Sequence, residues 1–192
     1  MMTERNFALF DTAIGVAGIV WSERGIAGVQ LPEASGSATR ARLLRRFAGA
    51  QEAPPPPDVQ RAIDGMVALL RGEQADLAGI ALDDEDQPEF NRRVHDIART
   101  IPAGKTLTYG EVAERLGDRT LAREVGQALG QNPTPLIVPC HRVLAAGGKT
   151  GGFSASGGVV TKLRLLTIEG AQPTGPTLFD DLPLAARPRR HA

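Results

Sequence analysis

Apolar and polar residues change their period along the chain, and the changes mark out elements. Phe7, Leu9 and Phe10 lead into a β-branched stretch at 15–21. Glu23-Arg24-Gly25 reads as a turn, and 26–31 resumes the apolar run, so the pattern predicts two strands, 7–21 and 26–31. Leu43, Leu44 and Phe47 share one side of a short helix over 38–48. The proline run 54–57 is an extended connector. Val59, Ile63, Met66, Val67 and Leu70 recur at helical spacing and predict a helix ending at Gly72, and 77–82 reads as one more strand. Asp83-Asp84-Glu85-Asp86 reads as a solvated acidic linker, and the domain boundary is expected there. Beyond it the period becomes mostly helical. Phe90, Val94, Ile97 and Ala98 form an apolar stripe stopped by Pro102 and Gly104. Thr108 and Glu111 form a capping box that opens a short helix through Val112, Ala113 and Leu116, closed by Gly117. A second helix runs over 121–130 with Val125, Ala128 and Leu129 inward. Two short helices about a tight turn outline a helix-turn-helix. Residues 135–138 read as a buried strand, the glycines from 147 to 158 as a hairpin-like loop, and 160–168 as a last helix.

Composition narrows the classes. The 192 residues are 42% hydrophobic and 23% charged, an ordinary globular mixture. The longest apolar stretch, 14–21, is far shorter than the ~20 residues of a membrane span. No membrane association is expected. The single cysteine excludes an internal disulfide and a cysteine-held zinc. With no secretory layout at the start, it points to a cytoplasmic, reducing setting. The net charge of zero hides an asymmetry. Residues 1–87 carry thirteen acids against eight bases, and 88–171 carry eleven bases against seven acids. The second unit is the one suited to an anionic partner such as nucleic acid.

The candidate chemistry centres on Pro139-Cys140-His141-Arg142. A thiolate is the strongest side-chain nucleophile near neutral pH, and a neighbouring imidazole and a cationic Arg142 would favour it. Alone, such a pair reads as a small buried hydrophobe that precedes a histidine. In a strand the two neighbours point to opposite faces, so proton transfer would need a turn or a bridging water.

The wider context resembles the O6-alkylguanine-DNA alkyltransferases, the methylated-DNA–protein-cysteine methyltransferases. The likeness extends over 90–171. It is carried by Ile101-Pro102-Ala103-Gly104, Tyr109-Gly110-Glu111-Val112-Ala113, Ala122-Arg123-Glu124-Val125-Gly126, Asn132-Pro133, Ile137-Val138-Pro139-Cys140-His141-Arg142-Val143, Gly151-Gly152-Phe153-Ser154 and 165–170. Residues 1–87 match only as the small β-rich, RNase H-like domain such proteins carry. The resemblance implies an α+β protein: that N-terminal domain at 1–87, a mostly helical winged helix-turn-helix domain at 88–171, and a tail at 172–192.

It also implies single-use alkyl transfer. Cys140 would attack the alkyl carbon on O6 of guanine, and O4-alkylthymine is a further expected substrate. No cofactor or metal is needed. His141 corresponds to the residue that deprotonates the cysteine through a water, Glu169 to the one that orients that histidine, and Asn132 to the one that ties the helix-turn-helix to the cysteine segment. Tyr109 corresponds to the tyrosine that helps rotate the nucleotide and donates to the departing guanine. Arg123 corresponds to the arginine that fills the vacated stack. Ala122, Gly126, Ala128 and Arg142 join Arg123 and Tyr109 at the expected DNA surface, where the second helix of this family enters the minor groove of double-stranded DNA. Val143, Gly152, Phe153 and Ser154 would line the pocket. Without the resemblance, Tyr109 reads as an amphipathic helix-start residue, Arg123 as a surface charge, Asn132 as a turn former and Glu169 as a solvated acid.

The chain departs from the family pattern at His95, where many members have tryptophan, at Phe153, where some have tyrosine, and at 155–158, where a bulkier stretch is usual. Two other readings compete. One is a non-catalytic sensor of alkylated DNA on the same fold, against which Cys140 argues. The other is a cysteine hydrolase, whose intermediate would turn over. A monomer is expected. The tail is expected to be a flexible end or to pack on the N-terminal domain; within it, Thr177-Leu178-Phe179-Asp180-Asp181-Leu182-Pro183 resembles the short ligands of a replication clamp, the alternative reading.

Overall fold

The computed structural model describes residues 4–171. A four-stranded sheet opens the chain in the order β3-β2-β1-β4. It comprises β1 (Asn6–Thr12), β2 (Gly15–Ser22), β3 (Gly25–Gln30) and the short β4 (Gln51–Glu52). The pairings β1–β2 and β2–β3 are antiparallel, and β4 joins β1 in parallel. The predicted strand 7–21 is therefore two strands. Thr12 Oγ1 accepts from the Ile14 N–H and donates to the Gly15 carbonyl, closing a tight hairpin that the apolar Ala13 and Ile14 disguised.

Two helices cover the faces of this sheet. The first, α1 (Gly36–Arg46), is capped by Ser35, whose hydroxyl accepts from the Ala38 N–H. It packs Leu43, Leu44 and Phe47 against Phe7, Val20 and Ala27. The second, α2 (Pro57–Leu70), starts at the last residue of the proline run, where a missing N–H costs nothing. Its Val59, Ile63 and Met66 meet Ile19, Trp21 and Val29 on the opposite face. Alternation along β2 decides which residue faces which helix. Gly28 lies directly under the Phe47 ring, so a Cβ there would collide with it.

Residues 77–82 are not a strand. Arg99 donates to the carbonyls of Leu77, Ala78 and Ile80, which removes the acceptors a ladder would use, and only an isolated bridge joins Leu82 to Ile26. The acidic linker is also less solvated than expected. Asp83 is buried and accepts from Ser22 Oγ and Arg24 Nε, both at 2.7 Å.

The remaining helices are α3 (Glu89–Arg99), α4 (Tyr109–Arg115), α5 (Ala122–Gly130) and α6 (Gly158–Ile168). Val94, Ala98, Val112, Val125 and Leu129 form the common core of α3, α4 and α5, while Leu165 of α6 joins the cluster under the sheet. Both bonds of the Thr108–Glu111 capping box are present, and Asp118 caps the turn leading to α5. A parallel pair of two-residue strands, β5 (Leu107–Thr108) and β6 (Val143–Leu144), links the entrance of α4 to the segment after Cys140. The glycine-rich stretch before α6 contains no strand, so the hairpin-like reading gives way to a loop with one 3₁₀ turn at Ala146–Gly148. Residues 135–138 are not a strand either. Pro135 cannot donate to a ladder, and Leu136 adopts φ 74°, which ends any extended run. The segment instead closes on itself through the Val138 N–H to the Thr134 carbonyl.

This arrangement supports the cysteine segment from the sheet side. Leu136, Ile137 and Leu165 belong to the same apolar cluster as β3 and α2. The Val29 N–H donates to the Pro133 carbonyl at 2.8 Å. Arg46 at the end of α1 donates to that carbonyl and to Val29 O and Gln30 Oε1. Among the described residues no helix is long and apolar enough to cross a membrane. The clamp-like segment 177–183 lies outside the described residues.

Candidate active site

Cys140, His141 and Arg142 form one turn of 3₁₀ helix after Pro139. Its about 120° step per residue replaces the opposed geometry a strand would impose on Cys140 and His141. The turn is pinned by the Cys140 N–H to Val138 O and the Arg142 N–H to Pro139 O. Asn132, just past α5, donates from Nδ2 to Val138 O at 2.9 Å, and its Oδ1 accepts from the Thr134 N–H. The end of α5 is thereby fastened to the residues that carry the cysteine.

Behind Cys140 lies a buried relay. His141 Nε2 is 2.8 Å from Glu169 Oε1. Arg142 grips the same carboxylate twice, Nε to Oε2 at 2.9 Å and Nη2 to Oε1 at 2.8 Å. Its Nη1 donates to Ile101 O. The side chains of His141 and Glu169 are 0% and 1% exposed. Burial alone would raise the Glu169 carboxyl, but the hydrogen bonds and charges of His141 and Arg142 hold it down at about 2. Glu169 is therefore ionised, and His141 Nε2 must carry the proton it shares with it. That assigns the free lone pair to Nδ1, a buried atom with no hydrogen-bond partner among the described residues. Burial also lowers His141 below the ordinary histidine value, which keeps the ring neutral and able to accept a proton. Burial pushes the Cys140 thiol up, while the Asn132 amide, the charge of Lys162 and the backbone N–H groups of Cys140 and His141 pull it down. The net effect is upward, so this thiol needs a base.

The sulfur side opens onto a cleft of about 540 Å³ lined by Tyr109, Ala122, Arg123, Gly126, Gly152, Phe153 and Ser154 among others. Tyr109 stands at the first turn of α4 and passes close to Gly126 and Gly151, where a Cβ at Gly151 would meet its hydroxyl at 2.7 Å. Burial raises the Tyr109 phenol, so it remains a donor. Ala122, Arg123, Gly126, Gln127 and Gly130 make up the outer face of α5, with Arg123 exposed. A smaller cavity of about 250 Å³ reaches Cys140 from the sheet side, past Gln30, Arg42 and Arg46.

Two residues assigned to the DNA surface from the sequence lie elsewhere. Ala128 is 2% exposed and faces the helical core, where its carbonyl accepts from the buried His95. Arg142 is 7% exposed and spends its donors on Glu169 and Ile101, because a buried carboxylate needs more than one partner. Val143 is fully buried in β6, so it stands behind the pocket while its carbonyl is the part that is used. One group escaped the sequence reading. Lys162 is 0% exposed, and its ammonium donates to Val143 O and Gly152 O. The available signal was a lysine on the apolar face of α6, three and four residues before Leu165 and Leu166.

Comparison with known proteins places this geometry. The family model described as the 6-O-methylguanine DNA methyltransferase DNA-binding domain matches residues 89–171. A methylated-DNA–protein-cysteine methyltransferase from Methanothermobacter thermautotrophicus is 35% identical over 158 residues, 82% of this chain and 81% of that one. The crystal structure of Mycobacterium tuberculosis O6-methylguanine methyltransferase superposes with a TM-score of 0.68 at 32% identity, covering 92% of this chain and 99% of that one. The same organism's protein in complex with DNA gives 0.69 at 31%, covering 86% and 92%. Similarity across both the strand-rich and the helical parts, on a site built around Cys140 and His141, establishes that the chain belongs to the methylated-DNA–protein-cysteine methyltransferase family.

Proposed function

We propose that this protein repairs DNA by moving the alkyl group of O6-alkylguanine onto Cys140, once per molecule. The observation that carries the reading is the polarity of the relay. Glu169, held by Arg142, fixes the His141 proton on Nε2, which leaves Nδ1 as the base beside a thiol that burial keeps protonated. No hydrogen bond joins the Cys140 sulfur to the imidazole among the described residues, so the proton passes through a bridging water.

The thiolate attacks the alkyl carbon. The S–C bond forms as the C–O6 bond breaks, and the bonding pair leaves with guanine. The Tyr109 hydroxyl donates a proton to the departing base and is reprotonated from solvent, to which His141 releases the proton it took from Cys140. The product thioether has no hydrolytic route back, so the protein is consumed. O4-alkylthymine presents the same alkyl–oxygen bond and is proposed as a second substrate.

A guanine within a duplex cannot reach this sulfur, so the nucleotide must rotate out of the stack. The outer face of α5 suits that task. Ala122, Gly126 and Gly130 permit close approach to a minor groove, and Arg123 extends from it to occupy the vacated place. The protein acts as a monomer on this reading. Its domain division at residue 87 is proposed with it, the helical unit carrying the DNA surface and the sheet unit bracing the cysteine segment.

Incubation with O6-benzylguanine tests the reading. The expected product is one benzyl group on Cys140 and no further consumption of substrate. A non-catalytic sensor would gain none, and a hydrolase would lose the group and continue.

A further inference from the structure

Cys140 borders two spaces. The cleft beside α5 takes the base on the alkyl-transfer reading, and the cavity of about 250 Å³ reaches the same residue from the sheet side. Gly130, Phe153 and Ser154 line both, so the two meet at Cys140. The cavity ends against α1, where Arg42 and Arg46 stand one helical turn apart on one face. These two guanidinium groups share a single carboxylate. Glu33 lies 3.2 Å from Arg42 Nε and also accepts from Gln30 Nε2. Arg46 donates only to neutral oxygens, those of Val29 O, Gln30 Oε1 and Pro133 O. Arg42 Nη1 and Nη2 have no protein acceptor among the described residues. The wall therefore keeps a net positive charge, although residues 1–87 carry thirteen acids against eight bases. We propose that this cavity is a subsite for the substituent on the transferred carbon, and that Arg42 and Arg46 fit it to O6-carboxyalkylguanines, adducts whose alkyl chain ends in a carboxylate.

Displacement needs the sulfur, the carbon and O6 in line, so whatever else the carbon carries stands off that line. A methyl group leaves the cavity unused, whereas a longer substituent has it to enter. A carboxylate brought there meets the thiolate, which repels it, and the guanidinium pair offsets that repulsion. The planar fork of Arg42 matches a carboxylate in shape as well as charge. Burial and the charge of Arg42 both lower the Arg46 guanidinium, and an anion in the cavity opposes both. The chemical step is unchanged. The S–C bond forms to the methylene that carries the carboxylate, the C–O6 bond breaks with its pair going to guanine, and Cys140 ends as an S-carboxyalkyl thioether. A DNA phosphate is the other anion that Arg42 could meet, and it would serve every substituent alike.

The proposal rests on the alkyl-transfer reading and is tested on wild type and Arg42→Gln. The Arg42 side chain is 42% exposed, so the variant loses one surface ion pair and keeps the fold. Duplexes carrying O6-methyl-, O6-carboxymethyl- and O6-carbamoylmethylguanine are compared; the carbamoyl group has the shape of the carboxylate without its charge. In Arg42→Gln, carboxymethyl transfer is expected to slow roughly fivefold to tenfold, while the other two change less than about twofold. Equal slowing of all three assigns Arg42 to a DNA phosphate and overturns the proposal, as does no slowing of any. A wild type that takes up no methyl group counts against the alkyl-transfer reading instead. A second measurement needs no DNA. Cys140 is the only cysteine in the chain, so iodoacetate and iodoacetamide report on it alone. Their rate ratio, referred to that of glutathione, is expected to exceed one in the wild type, to fall with added salt, and to drop at least about threefold in Arg42→Gln. A ratio that Arg42→Gln leaves unmoved overturns the proposal.

Discussion

At the scale of single residues, the site is arranged around one carboxylate. Glu169 receives three hydrogen bonds from two buried partners and, among the described residues, is the group that fixes the tautomer of His141. Glu169→Gln keeps the shape but leaves Arg142 buried without a counter-charge. The expected cost is about 3–5 kcal/mol of stability in urea unfolding, together with a large loss of transfer rate. The pH dependence has a defined sign. Glu169 titrates at about 2 in the folded chain, below the ordinary carboxylate, so its contribution is full above the ordinary value and disappears as pH falls toward 2. His141 is also lowered, which favours its neutral form in the fold and makes acid favour the unfolded chain. Both act in one direction: urea midpoints should fall steadily below about pH 6.5. Tyr109→Phe should slow benzyl transfer and leave iodoacetamide alkylation of Cys140 unaltered, since only the former has a departing base to protonate. The neighbouring Cys140 and His141 were legible in the sequence, and Glu169 through the family pattern. The role of Arg142 was not, because the partner that draws it inward lies 27 residues away.

At the scale of elements, α5 carries two faces with separate duties. Its inner face, Val125, Ala128 and Leu129, was readable from helical spacing, and that spacing should have overruled the placing of Ala128 at the DNA surface. On its outer face, a Cβ at Gly126 would sit 3.8 Å from the Tyr109 ring, an ordinary contact. Gly126→Leu should therefore fold, with helix propensity in its favour, yet bind DNA at least about tenfold more weakly because the side chain holds the groove away. Gly28→Ala makes the contrasting prediction for β3. The added methyl meets the Phe47 ring, so a loss of about 1–3 kcal/mol is expected in urea unfolding. Helices with capping signals were legible, the Thr108–Glu111 box most directly. The short apolar run 135–138 was not, because length and composition do not separate a buried strand from a buried turn, and a leucine at positive φ leaves no signature in sequence. The hairpin at 13–14 was hidden for a related reason: its turn lacks the usual asparagine or aspartate.

At the scale of the molecule, the proposed function divides the labour between the acidic first half and the basic second half. The sheet unit braces the cysteine segment through Arg46, Val29 and the cluster that includes Leu136 and Ile137. The helical unit presents Arg119 and Arg123 on an exposed surface. Binding through phosphate contacts should weaken linearly on a log–log plot of affinity against salt, with little dependence on flanking sequence. The α+β class was legible through the family resemblance, and the passage from strands to helices in the change of period. The bracing contacts were not, since they join backbone carbonyls to residues far away in the chain. The most direct test of the whole account is intact-mass and peptide-mass measurement after reaction with a duplex carrying one O6-methylguanine, on wild type and Cys140→Ser. The account predicts one methyl group on Cys140 in the wild type, matched mole for mole by restored guanine, and none in the variant. Restoration of more than one guanine per protein molecule, or repair by Cys140→Ser, would contradict it.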